Sequence, residues 1–238
     1  MKKRCALQAY NLSVGYDGNS VANEISFSLN EGDYLCIVGE NGAGKTTLMK
    51  TLLGLIPPIS GRLELSDEIK EAGIGYLPQQ SPIQKDFPAT VMEVVLSGFL
   101  RKAGLRPFYN KTEKAAAKDA LKKLGIAELE RKCFASLSGG QQQRVLLARA
   151  LCSTKKMILV DEPAAGLDPH AMAEMYSLLD GINKDGVTVV MITHDLSTSM
   201  KYATHVLFIH HDSHFMTRDE FVDSDFARTR FYGEECHD

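Results

Sequence analysis

The chain contains 238 residues, of which 44% are hydrophobic and 24% are charged, and its formal net charge is −3. This composition is close to the average of globular proteins and argues against a disordered chain, and the charge balance argues against nucleic acid as a partner. No apolar run approaches the ~18 residues of a membrane span, and no apolar segment follows the basic start as in a secretory signal. The five cysteines are scattered and form no C-x-x-C pair. We therefore expect a soluble intracellular protein with reduced thiols.

The first eighty residues have the patterns of several strands and one helix. Ile25, Phe27 and Leu29 alternate with polar residues, which is typical of a half-buried strand, and residues 30–33 have the composition of a tight turn. Residues 34–38 form a continuous apolar run, as expected of a strand that is buried on both faces. Further strands are predicted around 63–65 and 74–77, and a helix over 46–55 that is stopped by Pro57 and Pro58.

The middle of the chain differs from both ends. Between about 81 and 154 strand-like runs disappear and helical periodicity dominates, whereas strands and helices alternate again afterwards. This order predicts an α/β fold with a parallel core and an all-helical insertion. The stretch 101–132 carries ten Lys or Arg against four Asp or Glu, which we interpret as a solvated helical face rather than a surface for anionic lipid or partner loops. The predicted helices lie at 91–100, 112–124, 139–151 and 169–181, and the predicted strands at 157–160 and 187–192.

A phosphate-binding loop is indicated between the apolar strand and the first helix, where the sequence matches G-x-x-x-x-G-K-[ST]. Glycines let a backbone wrap around a phosphate, whose charge is then faced by N–H groups and by the helix N-terminus. Lys45 is expected to reach the β- and γ-phosphates, and the Thr46 hydroxyl is expected to bind Mg²⁺. The predicted nucleotide-binding residues of this loop are Gly39, Glu40, Asn41, Gly42, Ala43, Gly44, Lys45, Thr46 and Thr47.

Two acidic residues follow the predicted strand 157–160. Asp161 lies where a Walker B carboxylate would hold Mg²⁺, and Glu162 could polarise a water molecule toward the γ-phosphate. Alone, this pair would be interpreted as a solvated strand end. With the phosphate loop in the same chain, we favour the catalytic interpretation.

A second anion site is indicated by Leu137-Ser138-Gly139-Gly140-Gln141. Ser138 could cap the helix that follows, and the glycines would expose N–H groups to a phosphate. Since the loop around Lys45 already accounts for one phosphate site, the simplest interpretation is that two chains meet head to tail. Each copy would then present this helix end to the ATP of the other.

These motifs together resemble the ATP-binding subunits of ABC transporters, and the resemblance covers essentially the whole chain. Tyr16 matches the aromatic residue that stacks on adenine in that family. Gln79 matches the Q-loop glutamine, which is a Mg²⁺ ligand. Residues 137–141 match the family signature, Asp168 the D-loop and His194 the switch histidine, all in the family's order.

The resemblance implies a P-loop NTPase (RecA-like) α/β core with an N-terminal antiparallel β subdomain and an inserted helical subdomain. Residues 1–238 would form one ABC ATPase domain, with residues 1–80 and 155–238 in the core and 81–154 in the helical part. ATP and Mg²⁺ are the implied cofactors. The implied catalytic residues are Glu162, His194 and Gln79; the Mg²⁺ ligands are Thr46, Gln79 and Asp161; and the residues acting across a dimer are Ser138, Gly139, Gly140, Gln141 and Asp168.

The implied partners are a second copy of the chain, integral membrane permease subunits and an extracytoplasmic solute-binding protein, which places the subunit at the cytoplasmic face of the membrane. Residues 86–98 resemble the corresponding segment of zinc, manganese and iron uptake ATPases, so metal import is the favoured function. An exporter, an importer of another substrate and a soluble ABC-type ATPase of cofactor assembly are the alternatives. We favour packed or exposed side chains over a metal site for the histidines His205, His210, His211 and His214.

Overall fold

The computed structural model of the protein describes residues 4–79, 88–104, 106–210 and 213–224. The chain forms two compact units. The first joins the residues up to Ser66 to those from Thr188 onward, and the second is Asp67–Val187. The predicted helical subdomain at 81–154 falls within the second unit, and its boundaries remain a prediction. Among the described residues, no helix has the length and apolar character needed to cross a membrane.

An antiparallel sheet occupies the N-terminal part of the first unit. It consists of β1 (Cys5–Tyr16), β2 (Asn19–Asn30) and β4 (Ser60–Leu65), in the order β2-β1-β4. The alternation predicted for β2 is confirmed, because Ile25, Phe27 and Leu29 are each at most 4% exposed. The predicted antiparallel β subdomain is therefore present.

The remaining strands of the first unit surround β3 (Tyr34–Gly39). β3 pairs in parallel with β7 (Thr188–Ile192) on one side and with β8 (His205–Ile209) on the other, and β9 (His214–Thr217) pairs antiparallel to β8. Tyr34–Val38 are at most 2% exposed, which confirms a strand covered on both faces. The three parallel strands end at the same edge, where α/β proteins place their ligands.

The first helix, α1 (Lys45–Leu52), is shorter than predicted. The helix ends before Pro57 because the next residues close a C-terminal turn. In that turn the N–H of Gly54 donates to the Thr51 carbonyl and the N–H of Leu55 to the Lys50 carbonyl, both at 2.9 Å. This pair of hydrogen bonds is the Schellman arrangement, which satisfies the last carbonyls of a helix. The prediction that the prolines stop the helix was wrong.

The second unit contains one parallel strand pair, β5 (Ile74–Leu77) with β6 (Met157–Asp161), together with helices. Between 88 and 154 the described residues form helices and turns and no named strand, as predicted. Among the described residues, the α-helices of this unit are α2 (Asp67–Ala72), α3 (Val91–Leu96), α4 (Leu100–Ala103), α5 (Lys111–Lys123), α6 (Gly139–Ser153) and α7 (Pro169–Lys184). The first unit also contains α8 (Leu196–Ser199) and α9 (Arg218–Asp223).

Several residues of the segment 86–98, which resembles metal-uptake ATPases, are explained by the local structure. Residues 86 and 87 lie outside the described residues. The predicted helix 91–100 is divided into α3, a 3-10 turn at Ser97–Phe99, and α4. Thr90 and Glu93 form a capping box at the start of α3. A Cβ atom on Gly98 would lie 2.2 Å from the Arg149 carbonyl oxygen, so this turn approaches α6 more closely than a side chain allows.

We predict that Gly98→Ala lowers the free energy of unfolding by about 1–3 kcal/mol, the typical cost of overpacking. Gly181 provides a matched control, because it is exposed in α7 and an added Cβ would meet nothing within 4 Å. Gly181→Ala should raise the free energy of unfolding by about 0.5–1 kcal/mol. Urea unfolding of the two variants tests both values, and equal shifts in one direction would contradict the close approach at Gly98.

Candidate active site

The loop between β3 and α1 is built around Lys45. This residue is only 7% exposed, and its Nζ atom donates to the carbonyl oxygens of Gly39 and Glu40, both at 2.8 Å. The loop then passes directly into the N-terminus of α1, whose first turn contains no acidic residue. An ammonium group and a helix N-terminus thus lie together, which is an arrangement that binds phosphate.

The two residues that follow Lys45 differ in access. Thr46 is exposed and Thr47 is buried. The sequence did not reveal why residue 39 must be a glycine. An added Cβ at Gly39 would lie 2.3 Å from the Ile209 carbonyl oxygen of β8. The first glycine of the loop is therefore required by the neighbouring strand, whatever the phosphate requires of it.

Tyr16 is placed beside α1 by a two-residue turn at Asp17 and Gly18, which join β1 to β2 with φ values of 50° and 78°. Positive φ at both central residues is the type I′ geometry of tight hairpins. Tyr16 remains 46% exposed, and its hydroxyl accepts a hydrogen bond from Lys50 Nζ at 3.2 Å. That bond is the first cause that holds the pKa of Tyr16 below its usual value. Lys50 was not predicted as a site residue, although it lies one helical turn beyond Lys45 and Thr46.

His194 lies just after β7, at the same edge of the first unit's sheet as the phosphate loop after β3. Thr193 is buried at 3% exposure, whereas His194 is exposed. The N–H of Asp195 donates to Thr193 Oγ1 at 3.0 Å, so the backbone on either side of His194 is anchored. The predicted switch histidine therefore shares an edge with the loop that holds Lys45.

The other predicted histidines are dispersed. His205 lies at the start of β8 with its ring stacked on Phe215, and His214 pairs with Phe208 in the β8–β9 ladder. His210 follows β8 and lies 3.9 Å from the Glu40 carboxylate, at a cavity of about 240 Å³ beside the phosphate loop. His211 lies outside the described residues. The described part of the chain holds no group of three or more His, Cys, Asp or Glu suited to a metal ion.

Three predicted residues meet at the ends of β5 and β6 in the second unit. Asp161 is the last residue of β6 and is 3% exposed. Glu162 follows with φ 47°, a conformation that costs free energy for a residue with a side chain and often marks functional sites. Gln79 Nε2 donates to Glu162 Oε2 at 2.8 Å. Burial and the Asp161 charge raise the pKa of Tyr76. The bond between Gln79 and Glu162 was not foreseen in the sequence.

The helix end after Leu137 forms as predicted. Ser138 caps α6 in a capping box: its N–H donates to Gln141 Oε1 at 3.1 Å and its hydroxyl accepts from the Gln141 N–H at 3.4 Å. Cβ atoms on Gly139 and Gly140 would make only ordinary contacts, at 3.8 and 3.5 Å. Because glycine is unfavourable in a helix by about 1 kcal/mol relative to alanine, and packing within the described chain does not require it here, the pair is consistent with a ligand outside this chain.

Asp168 has a role that sequence analysis did not assign. Its Oδ1 accepts hydrogen bonds from the N–H groups of His170 and Ala171, both at 3.0 Å, and so caps α7. These bonds, with Ala171 first, hold the pKa of Asp168 below its usual value. The N-termini of α6 and α7 are neighbours, since a Cβ on Gly140 would touch Ala171 Cβ at 3.5 Å. The action of Asp168 across a dimer remains a prediction.

Comparisons with known proteins show which proteins this chain resembles. Residues 22–165 match the family model described as ABC transporter. The manganese transport system ATP-binding protein MntB of Bacillus subtilis is 39% identical over 203 residues, which cover 84% of this chain and 81% of that protein. The zinc uptake system ATP-binding protein ZurA of Listeria innocua is 36% identical, covering 85% and 82%. A solved ABC transporter in an inward-facing conformation is 32% identical, with a TM-score of 0.84 over 96% of this chain and 90% of that chain.

Asp168 offers a test that separates its helix cap from any role across a dimer. Asp168→Ala should lower the free energy of unfolding at pH 7, because it removes the acceptor of both cap hydrogen bonds, whereas Asp168→Asn, which keeps an accepting oxygen, should lower it much less. The lowered pKa means that the carboxylate stabilises the fold fully above its unfolded-state pKa, and that this stabilisation is lost as pH falls through the folded-state pKa. The deficit of Asp168→Ala should therefore shrink toward about pH 3. A deficit that does not depend on pH would contradict the charged cap.

Proposed function

Because the chain belongs to the ABC transporter family, we propose that it is the ATP-hydrolysing subunit of an importer that carries a transition-metal ion. The family and the ATPase fold follow from the match over residues 22–165 and from the solved relative. The proposal for the substrate rests on one observation, namely that the similar curated proteins carry manganese and zinc in their names. The residue roles below rest on the geometry of each unit.

The nucleotide phosphates are assigned to the loop 39–47. Lys45 is already held at the loop by two carbonyl oxygens, so its ammonium needs little reorganisation to face the β- and γ-phosphates. Tyr16 is assigned to the adenine, because its ring is nearly half exposed and is fixed beside α1 by Lys50. An exposed aromatic face that is held in place suits base stacking.

The residues proposed to hold Mg²⁺ fit that ion in their chemistry. Thr46 offers an exposed hydroxyl, Asp161 offers a buried carboxylate at the end of β6, and Gln79 offers an amide oxygen while its nitrogen donates to Glu162. All three are the hard oxygen donors that Mg²⁺ prefers. When bound, Mg²⁺ would neutralise charge on the phosphate oxygens.

Glu162 is the proposed general base. The hydrogen bond from Gln79 orients its carboxylate. The positive φ of Glu162 sets the direction in which its side chain leaves the backbone. A base needs this orientation in order to accept a proton from an attacking water molecule. His194 is assigned to the γ-phosphate, on the support of its exposed position at the edge of the first unit's sheet.

The second copy is proposed to supply the other phosphate site. Ser138 to Gln141 form a helix N-terminus with two glycines that packing within the described chain does not require. A helix N-terminus carries partial positive charge and unpaired N–H groups. ATP binding would close a head-to-tail dimer around these groups, with Asp168 at the neighbouring helix end, and hydrolysis would reopen it.

The remaining partners follow from the family. An ATPase of this kind works with permease subunits at the cytoplasmic face of the membrane, and an importer also uses an extracytoplasmic solute-binding protein. These assignments rest on the relatives, which are named as parts of transport and uptake systems.

Glu162→Gln should reduce ATP hydrolysis by roughly 10²–10⁴-fold, because the amide can still accept the bond from Gln79 but cannot take up a proton. ATP should still bind, and the variant should accumulate as an ATP-bound dimer in size-exclusion chromatography. Adding Ser138→Arg should dissolve that dimer by placing a bulky side chain in the partner's phosphate site. Lys45→Ala serves as the control that loses productive ATP binding. Hydrolysis at the wild-type rate in Glu162→Gln would refute the base.

The substrate is tested in membranes that contain the complete transporter. The ATPase activity should rise when a solute-binding protein loaded with Zn²⁺, Mn²⁺ or iron is added, and the Glu162→Gln complex should show no such rise. Stimulation by a partner loaded with sugar, amino acid or peptide would remove the metal substrate and leave the ABC ATPase intact. A subunit that copurifies with no membrane protein would instead favour a soluble ABC-type ATPase.

A further inference from the structure

A buried glutamine of α6 has an oxygen atom without a partner. Gln143 is only 1% exposed, and its buried Oε1 atom accepts no hydrogen bond from any residue that the structure describes. The preceding residue, Gln142, is buried as well, at 3% exposure, but donates from Nε2 to the Phe134 carbonyl oxygen at 3.1 Å. Two adjacent glutamines of one helix are therefore buried, and of this pair Gln143 carries the unsatisfied oxygen.

An unsatisfied amide oxygen is unfavourable in a protein interior. A buried acceptor without a donor loses its hydration and gains no bond in return, whereas an apolar side chain of similar shape has no such cost. Unsatisfied groups of this kind are rare in folded proteins and require a physical explanation. A methionine would fill nearly the same space, so packing alone does not account for an amide at residue 143.

Contacts of α6 show which part of the chain Gln143 faces. A Cβ atom on Gly139 would lie 3.8 Å from Leu167 Cδ2, and a Cβ atom on Gly75 in β5 would lie 2.6 Å from the Ala150 carbonyl oxygen. Gln143 is four residues beyond Gly139 and seven residues before Ala150, and residues at these spacings share one face of an α-helix. Gln143 therefore lies on the side of α6 that faces Leu167 and the ends of β5 and β6.

The segment 162–168 contains a complementary donor. It begins at the proposed base Glu162 and ends at the cap of α7. Two N–H groups are used in its own turns, because Ala165 donates to the Glu162 carbonyl at 3.1 Å and Leu167 donates to the Ala164 carbonyl at 3.2 Å. Ala164 is itself 7% exposed, and its N–H has no acceptor among the described residues. A donor and an acceptor from two buried residues are thus both unsatisfied in adjoining parts of the second unit.

We infer that Gln143 is a positioning residue for the segment 162–168, and that in the ATP-bound dimer its Oε1 accepts a hydrogen bond from the N–H of Ala164. The arrangement in which neither group is paired then belongs to the subunit outside that dimer. The inference rests on the proposed function, because it takes the ATP-bound dimer as the second state. Since the bond satisfies two groups that are otherwise unpaired, it stabilises the dimer state and fixes the segment that carries Glu162.

The first experiment measures thermal unfolding of the isolated subunit without ATP. Gln143→Met removes the unsatisfied oxygen and keeps an unbranched side chain, so the midpoint should rise by about 2–4 °C. Gln142→Met is the matched control and should lower the midpoint, because it removes a buried hydrogen bond. A midpoint that stays the same or falls in Gln143→Met would mean that the amide is already satisfied, for example by a buried water molecule, and would overturn the inference.

The second experiment measures ATP hydrolysis. Gln143→Met should lower kcat by about tenfold, the rate equivalent of one lost hydrogen bond, and should change the KM for ATP by less than about twofold. The KM should persist because the loop of Lys45 and the ring of Tyr16 keep their own contacts. A variant that is more stable and yet slower separates a positioning role from a purely structural one. An unchanged kcat would overturn the inference.

The bond itself is tested by amide hydrogen exchange in protein that carries isotope-labelled alanine. In Glu162→Gln with saturating Mg-ATP, the N–H of Ala164 should exchange about tenfold more slowly than without ATP, and adding Gln143→Met should abolish that slowing. Ala165 is the internal control, because its N–H already donates within the turn, and its exchange should not depend on residue 143. Slowing at Ala164 that is the same with and without Gln143→Met would overturn the inference.

Two outcomes separate this inference from the function on which it rests. If Glu162→Gln alone forms no ATP-bound dimer, the proposed function fails first, and this inference fails with it. If the dimer forms and Gln143→Met changes neither the turnover of the otherwise wild-type subunit nor the exchange of Ala164, this inference alone is overturned.

Discussion

The ammonium of Lys45 is held by the carbonyl oxygens of Gly39 and Glu40, at the point where β3 passes into α1. The rest of the first unit follows from this contact. β3 must lie between β7 and β8, because only a covered central strand delivers the loop at a sheet edge where neighbouring strands also end. The carbonyl of Ile209 in β8 then leaves no room for a side chain at Gly39. His194 follows β7 at the same edge, and β7 is the strand next to β3, which leads into the loop.

The second unit orients carboxylates and helix ends. In the proposed arrangement it does not enclose a nucleotide by itself. Gln79 orients Glu162, and Asp161 is buried at the end of β6. Ser138 and Asp168 satisfy the first N–H groups of α6 and α7 with their own side chains. Because residues 139 and 140 are glycines, no side chains project there from the start of α6, which leaves room for another chain to approach. The proposed division of the binding site between two copies would account for two phosphate-binding motifs in one sequence.

Local chemistry accounts for what could be predicted from the sequence. The spacing around Lys45, the cap at Ser138 and the apolar run of β3 each depend on residues close together in the chain, so their patterns were readable. Helix α1 was predicted too long because the prolines were weighted above the C-terminal turn at Gly54. The hydrogen bond from Gln79 to Glu162 joins residues 83 positions apart, and the one from Lys50 to Tyr16 joins residues 34 positions apart. No local sequence pattern predicts such contacts. The helix cap by Asp168 could have been predicted, because Asp followed by Pro is typical of a helix start. In the sequence analysis, Asp168 was assigned only the D-loop role of the family.

The central claim is that the loop of Lys45 in one copy and the Ser138 helix end of another hold the same ATP. Disulfide trapping tests it most directly, using differently tagged copies that carry Asn41→Cys and Ser138→Cys in the Glu162→Gln background. The exposed cysteines Cys5 and Cys133, and Cys236, are replaced by serine. The account predicts an intermolecular disulfide between the two tags that forms with Mg-ATP and is lost without nucleotide. Cross-linking that is absent with ATP, or that is the same with and without it, would contradict the head-to-tail site.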